Sequence, residues 1–162
     1  MVSAIIVANT THSVSKSQVP RVVEALKLSR VLNCVALVPE HEQAWQQAFS
    51  PYQTKLIKVA DPATTRAISA GIAACDQKDL HGVIIVPLDA AATTQGVVAA
   101  ALHQFWTSHQ PVVVAQMTDG SRITIISNRL FEEIHRAGEA AMLSEILLTH
   151  SSDTRSVRFD QA

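Results

Sequence analysis

Two basic side chains flank the predicted start of the first helix, a position that favours an anion. Lys16 and Arg21 lie on either side of the point where the apolar helical period begins. The free backbone N–H groups and the dipole of a helix N-terminus attract negative charge, so these residues could hold a phosphate. Ordinary capping explains the same segment equally well, with Ser17 as the cap and Pro20 in the first turn.

Asp89 is the acidic residue best placed to bind a metal ion. It follows the apolar run VIIV, which is typical of a strand buried on both faces. In open α/β sheets, ligands bind at the carboxyl ends of such strands. Because no second carboxylate stands near it in the sequence, an aspartate that caps the turn before a helix at Thr94 is the structural alternative.

Arg66 is a third cationic candidate, near the start of another predicted helix. The residues before it, Asp61 and Pro62 followed by two threonines, form a common N-terminal helix signal. That signal accounts for the segment structurally, and the charge of Arg66 is the feature that it leaves unexplained.

An alternating pattern of strands and helices is expected to position these residues. The predicted strands cover residues 2–8, 34–38, 55–59, 82–87, 111–116 and 122–127. The predicted helices cover residues 17–32, 40–49, 63–75, 94–108, 128–136 and 139–150. Asp119 and Gly120 favour a tight turn between the last two strands, so one strand is expected to run antiparallel in an otherwise parallel sheet.

Composition indicates one soluble domain over residues 1–162, because 48% of the residues are hydrophobic and 17% are charged. Thirteen Lys and Arg against 14 Asp and Glu give no reason to expect nucleic acid or an anionic membrane as partner. Cys34 and Cys75 match neither a disulfide framework nor a zinc motif. Since no segment reads as a leader or a membrane span, we expect a cytoplasmic protein.

Four parts of the sequence carry a family resemblance. They are VSAIIVA with PRVVEAL, DPATTRAISAGIAAC, GVIIVPLDAAATT, and GSRITIISNRLFEEI with GEAAMLSEILLTH. Together they resemble the MobA-like NTP transferase family, most closely its molybdopterin cytidylyltransferase branch. The resemblance implies a three-layer α/β/α Rossmann-like fold of the glycosyltransferase-A type. It also implies transfer of a nucleoside monophosphate from a magnesium-bound nucleoside triphosphate to a phosphorylated acceptor.

The resemblance also implies roles for individual residues. Asp89 matches the aspartate of a DQPLVT loop that binds the catalytic metal, which would be Mg²⁺. The segment after the first strand matches the family's phosphate-binding loop, and Arg66 lies where the family contacts the base and sugar. The residues expected to bind the nucleotide are Asn9, Thr10, Lys16, Arg21 and Arg66.

Two departures from the family pattern fall on substrate-binding loops. The family's LAAGxSxRMGxxK loop reads VANTTHSVSK here, and Thr10 replaces its first glycine. Glycine allows the positive φ of a phosphate cradle, a conformation that Asn9 tolerates better than the two threonines after it. The GHP triplet, which is associated with the acceptor, reads Ser-Arg-Ile over residues 121–123.

A third departure concerns the second metal carboxylate, because the sequence reads FDQA where the family continues to a DIDTPEDL motif. The residues that could supply this carboxylate instead are Asp119, Asp153 and Asp160.

Two functional hypotheses result. One is a nucleotidyltransferase-like protein with impaired or lost catalysis, since few groups remain to stabilise the transferred phosphoryl group. The other is a non-catalytic module, a pseudoenzyme, that binds a nucleotide or a protein partner, which could be a second copy of the chain. The aromatic residues considered for an exposed partner surface are Trp45, Tyr52, Phe105 and Trp106.

Overall fold

A seven-stranded sheet with helices on both faces forms the molecule. The computed structural model describes residues 1–8, 15–31, 33–41, 44–88, 93–137 and 142–159. The strands are β1 (Val2–Val7), β2 (Cys34–Pro39), β3 (Thr54–Val59), β4 (Gly82–Pro87), β5 (Val112–Met117), β6 (Arg122–Ser127) and β7 (Thr154–Phe159). The α-helices are α1 (Val19–Leu28), α2 (Ala44–Phe49), α3 (Thr65–Ala74), α4 (Gln95–Ser108), α5 (Phe131–Arg136) and α6 (Leu143–Thr149).

The sheet is mixed and mostly parallel, as predicted. Its strand order is β3-β2-β1-β4-β6-β5-β7. β6 is antiparallel to both of its neighbours, and every other pairing is parallel. The turn between β5 and β6 is the expected tight turn, in which Gly120 has a φ of 84° and its N–H donates to the carbonyl of Met117. Six strands therefore end at one edge of the sheet, the carboxyl edge, where β6 begins.

Two hydrophobic clusters cover the two faces of the sheet. On face A, helices α1, α2 and α4 pack against strand residues such as Ile6 and Val86. On face B, helices α3, α5 and α6 pack against strand residues such as Ile5 and Ile85. Because side chains alternate along a strand, the two central strands contribute to both clusters. The three-layer α/β/α prediction is confirmed.

Helix α3 approaches the sheet closely at Gly71. A Cβ atom added there would lie 3.2 Å from Cδ1 of Ile5 and 3.4 Å from Cδ2 of Leu37. The glycine lowers helix propensity but leaves room for the side chain of Ile5.

This contact predicts an energetic coupling between Gly71 and Ile5. We expect Gly71→Ala and Ile5→Val each to lower the free energy of unfolding by about 1 kcal/mol, the first by crowding and the second by removing a methyl group. Removing Cδ1 of Ile5 makes room for the methyl group that Gly71→Ala adds. The double variant should therefore lose clearly less free energy of unfolding than the sum of the two single losses. Urea unfolding of the four proteins measures the difference, and strict additivity would contradict the close approach.

One strand and several helix boundaries differ from the predictions. β7 was not predicted, because TRSVRF lacks an apolar run and forms an edge strand in which none of the residues is fully buried. α1 begins at Val19 after a 3-10 turn over residues 15–18, so Ser17 is not its cap. α2 and α6 are shorter than predicted, beginning at Ala44 and Leu143. Propensity and periodicity do not fix such ends, which depend on packing.

Candidate functional site

The two loops predicted to bind nucleotide and metal leave the sheet side by side. β1 and β4 are neighbouring parallel strands, and their last residues, Val7 and Pro87, pair with each other. The segments that follow, 9–14 and 89–92, contain Asn9, Thr10 and Asp89, which lie outside the described residues. The strands therefore deliver both loops to the same point of the carboxyl edge, where open α/β sheets bind ligands.

The predicted cations at helix starts reach the same edge from opposite faces. Arg21 is the third residue of α1 on face A, and Arg66 is the second residue of α3 on face B. Lys16 belongs to the 3-10 turn before α1, and the structure does not describe its side chain. A ligand that contacts both arginines would have to lie across the edge of the sheet.

Arg66 lines a pocket of about 510 Å³ between β3 and the start of α3. The charged groups around it are mixed in sign, since Lys58 and Arg66 face Glu40 and Asp61. The walls also include apolar atoms of β3 and α3. A pocket of this chemistry suits an uncharged polar group, such as a sugar or a base, better than a bare phosphate.

The helix start beside this pocket has the capping structure that the sequence predicts. The hydroxyl of Thr64 accepts a hydrogen bond from the N–H of Ala67 at 3.2 Å and donates to the carbonyl of Asp61 at 3.0 Å. The Asp61 carboxylate accepts from the N–H of Ala63 at 3.0 Å. These bonds satisfy backbone groups at the start of α3, so the structural interpretation of the Asp-Pro-Ala-Thr-Thr segment is correct.

Two buried hydroxyl groups at the carboxyl edge were missed by sequence reasoning. Thr65 begins α3, and Thr93 lies between the segment 89–92 and α4. Both are completely buried, and neither hydroxyl has a hydrogen-bond partner among the described residues. Leaving such a group unsatisfied typically costs on the order of 1–3 kcal/mol, so each requires a partner from elsewhere in the chain or from a ligand. Each is half of a Thr-Thr pair whose other member caps a helix.

The three candidates for a second metal carboxylate have different positions. Asp153 precedes β7 and thus lies at the opposite edge, roughly 20 Å from the carboxyl edge by the length of a six-residue strand. Asp153 thus lies at the edge opposite to the one where β4, the strand that leads to Asp89, ends. Asp119 lies in the turn between β5 and β6 at the carboxyl edge. Asp160 follows β7 in the sequence and lies outside the described residues.

Hydrogen bonds stabilise the ionised form of Asp119. Its Oδ1 accepts from the hydroxyl of Ser121 at 2.5 Å and from the N–H of Ser121 at 2.9 Å. These bonds lower the pKa of the Asp119 carboxyl, first through the hydroxyl and then through the backbone N–H. The side chain is thus an anionic group in the tight turn next to the strand that leads to Asp89.

The described parts of the chain contain no group of three or more His, Cys, Asp or Glu side chains that could hold a metal ion. They also contain no helix of the length and apolarity that a bilayer span needs. A metal ion held at the carboxyl edge by three such side chains would therefore need at least one of them from the segments outside the described residues, and Asp89 is the predicted one.

Comparison with solved structures identifies the same fold. A Mycobacterium tuberculosis H37Rv protein in complex with manganese has a TM-score of 0.76 at 13% identity, with 99% of this chain and 89% of that chain covered. A cytidylyltransferase from Leptospira borgpetersenii has a TM-score of 0.71 at 10% identity, with 99% and 76% covered. CMP:2-keto-3-deoxy-manno-octonic acid synthetase complexed with CTP has a TM-score of 0.72 at 11% identity, with 99% and 90% covered.

At these identities the structural likeness establishes the fold alone. No curated protein matches the sequence significantly. The model of one protein family, the MobA-like NTP transferase domain, matches residues 14–154, which is most of the chain. The match includes all six helices and the strands β2 to β6, and it ends at the first residue of β7. The chain is therefore a member of the MobA-like NTP transferase family.

Proposed function

We propose that the chain binds a magnesium-bound nucleoside triphosphate at the carboxyl edge, between the ends of β1 and β4, and that its capacity for nucleotidyl transfer is impaired or lost. The adjacency of Val7 and Pro87 carries this proposal, because it delivers the loop with Asn9 and Thr10 and the loop with Asp89 to one point. The structural relatives include one protein solved with CTP and one solved with manganese, which supports a nucleotide and a divalent metal as ligands.

In this proposal different residues of the chain contact different parts of the ligand. Asp89 holds the metal ion, and the ion neutralises charge on the phosphates when it is bound. Asn9 and Thr10 contact phosphate oxygens, while Lys16 and Arg21 add positive charge from the face A side. Arg66 and its pocket receive the sugar or the base from the face B side. Thr93 directly follows the segment that contains Asp89, and its buried hydroxyl can form a hydrogen bond with a ligand at that site.

We propose that catalysis is impaired because the described residues do not supply all the groups that nucleotidyl transfer needs. Among the described carboxylates at the carboxyl edge, Asp119 lies in the turn that leads into β6, the neighbour of β4, but its Oδ1 already accepts two hydrogen bonds from Ser121. Thr10 lacks the conformational freedom of a cradle glycine. Fewer hydrogen-bond donors and charges are then directed at the transferred phosphoryl group. The chain can therefore retain nucleotide binding while it loses nucleotidyl transfer.

Calorimetric titration with CTP, GTP and ATP, each with Mg²⁺, tests this proposal. We expect saturable binding of at least one nucleotide that requires Mg²⁺ and weakens at least tenfold in Asp89→Ala. The matched control is Asp153→Ala, which removes an exposed aspartate at the opposite edge and should leave the affinity unchanged. Absence of binding by all three nucleotides, or equal loss in both variants, would refute nucleotide binding.

A transfer assay with the nucleotide that binds separates the two parts of the proposal. Release of pyrophosphate is expected to be very slow or absent even with saturating nucleotide. Fast release, abolished by Asp89→Ala, would show that catalysis is intact and that a second carboxylate is present. In that event Asp119→Asn would distinguish Asp119 from Asp160 as its source.

A second candidate function, self-association, is favoured by exposed apolar groups away from the carboxyl edge. Trp106 is 47% exposed at the end of α4 and packs edge-on against the ring of His81 at 5.3 Å between ring centroids. Trp45 and Phe105, also considered for such a surface, are buried in the core instead. A mass measurement in solution that found only monomer at micromolar concentration would exclude a homodimer. The cytoplasmic location stays a prediction.

A further inference from the structure

The sheet ends at β3, and we propose that the free outer side of this strand, the β3 edge, binds an extended acidic segment of a partner protein as an additional strand. β3 is the last strand on its side of the sheet, and its strand partner among the described residues is β2. An edge strand presents backbone N–H and C=O groups that have no partner in the sheet. These groups can form a hydrogen-bonded ladder with an extended peptide, a mode of recognition known as β-augmentation.

The side chains of β3 alternate between the two faces of the sheet. Ile57 pairs with Leu37 of the face B cluster, and Lys58 pairs with Val38 of the face A cluster. Paired residues of neighbouring strands project from the same face. Lys55, two residues before Ile57, therefore also lies on face B. An added strand would alternate in the same way, so its consecutive side chains would reach face A and face B in turn.

On face B, an added strand would meet the pocket of about 510 Å³ that Arg66 lines, the Arg66 pocket. β3 contributes Ile57 and Val59 to its lining, and α3 contributes Ala67 and Ala70. The part of the pocket between strand and helix is thus apolar, and the small alanine side chains leave it open. An aliphatic side chain opposite Ile57 fits this part of the pocket.

On face A, the β3 edge borders a polar pocket of about 490 Å³. Its lining consists of Gln46 and Gln47 of α2 together with Ser50 and Lys58. The amide and hydroxyl groups can donate hydrogen bonds, and the ammonium group adds a positive charge. A carboxylate opposite Lys58 fits this chemistry, because it accepts hydrogen bonds and carries the opposite charge.

The charge of β3 also favours an acidic partner. The strand, TKLIKV, has two lysines and no acidic residue. Lys55 and Lys58 are both exposed, and neither forms an ion pair with a described carboxylate. Glu40 and Asp61 follow the ends of β2 and β3, so the negative charge of this region lies beyond the strand. Carboxylates opposite the two lysines would form cross-strand pairs of opposite charge, which stabilise paired strands.

A second copy of the chain fits the β3 edge poorly. If two β3 strands paired with each other, the resulting ribbon would contain four lysines and no carboxylate. The strand at the other end of the sheet, β7, has Arg155 and Arg158 and likewise no acidic residue. Like charges on paired strands are destabilising, and lysine on an edge strand protects against such self-pairing. The segment that fits has acidic residues opposite Lys55 and Lys58 and an aliphatic residue opposite Ile57.

The inference does not require the function proposed above, although the Arg66 pocket belongs to both. An aliphatic side chain in this pocket and the sugar or base of a nucleotide would compete for the same space. A partner protein bound at the β3 edge would then weaken nucleotide binding at the carboxyl edge. Peptide binding in the absence of nucleotide is independent of that competition.

Amide chemical-shift titration of the full chain with a synthetic peptide tests the inference, at constant ionic strength and without nucleotide or Mg²⁺. The peptide has blocked ends and consists of valine and threonine, with two glutamates separated by two valines. This spacing matches Lys55 and Lys58 in either strand direction. We expect saturable shifts of the β3 amides and slower hydrogen exchange at alternate residues of β3.

Variants of the chain test the two lysines. Lys55→Glu and Lys58→Glu should each weaken peptide binding at least tenfold while the remaining spectrum is preserved. The matched control is Lys78→Glu, which makes the same charge change at an exposed position between α3 and β4. Because β1 and β2 separate β4 from β3, its effect should stay within twofold.

Two further changes separate strand addition from general attraction between charges. Ala70→Leu fills the Arg66 pocket without a change of charge and should also weaken binding at least tenfold. Two versions of the peptide carry methyl groups on alternate backbone nitrogens. Only one alternate set of N–H groups faces β3, so one version should lose binding and the other should keep it.

Four results would overturn the inference. Absence of saturable shifts denies a site, and equal weakening by Lys78→Glu indicates only attraction by positive charge. Equal affinity of the two methylated peptides indicates binding without a backbone ladder. A dimer of the free chain with protected β3 amides assigns the β3 edge to a second copy. Failure of the nucleotide proposal produces a different pattern, in which nucleotide does not bind while the peptide still shifts the β3 amides.

Discussion

Replacement of Gly82 by alanine is expected to lower the free energy of unfolding by about 3 kcal/mol, a loss of roughly two powers of ten in the folded-to-unfolded ratio. A Cβ atom on Gly82 would lie 2.7 Å from the carbonyl oxygen of Ile126 and 2.9 Å from Cζ of Phe105. The first of these atoms is backbone in the β4–β6 ladder, where Gly82 pairs with Ser127. Relief of the contact would therefore require β4 and β6 to move apart at the start of β4.

Gly96→Ala is the matched control for this prediction. Gly96 is exposed in the first turn of α4, and an added Cβ would approach only the hydroxyl of Thr94, at 3.9 Å. Because alanine has the higher helix propensity, we expect this variant to gain about 0.5–1 kcal/mol. Urea unfolding of both variants measures the difference. Unchanged stability in Gly82→Ala would mean that the two strands tolerate a wider separation.

Sequence patterns predicted the central strands well because burial on both faces gives a distinctive signal. The runs in β1 and β4 are apolar almost throughout, and a run of that kind fits the middle of a parallel sheet. The turn at Asp119 and Gly120 was predictable for a local reason, since it needs a residue with positive φ. These features depend on few neighbours, so they can be inferred from the chain alone.

Features that depend on partners distant in sequence could not be predicted in this way. β7 becomes a strand by pairing with β5, although its own residues lack an apolar run. The alignment of Arg122 and Arg158 on either side of Gln116 depends on the register of three strands, and neither arginine is unusual in its local sequence. The buried hydroxyls of Thr65 and Thr93 have helix-capping neighbours of the same residue type. Pairing and burial of this kind arise only in the folded chain.

The two cysteines provide the remaining large prediction, a loss of stability in alkaline solution. Burial raises the pKa of the Cys75 thiol from an ordinary value of 9.0 to about 11, and burial likewise raises the pKa of the Cys34 thiol to about 11. Cys75 is 6% exposed, and its Sγ donates to the carbonyl of Gly71 at 3.3 Å. Cys34, at the start of β2, is half-buried. Both side chains are accommodated as neutral thiols.

The sign of the effect follows from proton binding in the two states. Below about pH 9 both states keep the thiol protons, so the contribution of the thiols to stability is fully present. Between about pH 9 and 11 the unfolded chain releases these protons while the folded chain retains them, so the free energy of unfolding falls. For Cys75 the loss should approach about 2 kcal/mol, and for Cys34 it should be smaller because solvent screens a half-buried group.

Urea unfolding at several pH values from about 7.5 to 11, in the wild type and in a Cys34→Ala/Cys75→Ala variant, measures this effect. The cavities left by the substitutions lower stability equally at every pH, whereas the thiol contribution appears as a difference in slope. Every other ionisable side chain is the same in both proteins, so its contribution cancels in the comparison. The wild type should therefore lose stability more steeply than the variant above about pH 9. Parallel slopes would mean that the folded chain accommodates thiolates at these positions, and that neither side chain is held apart from solvent.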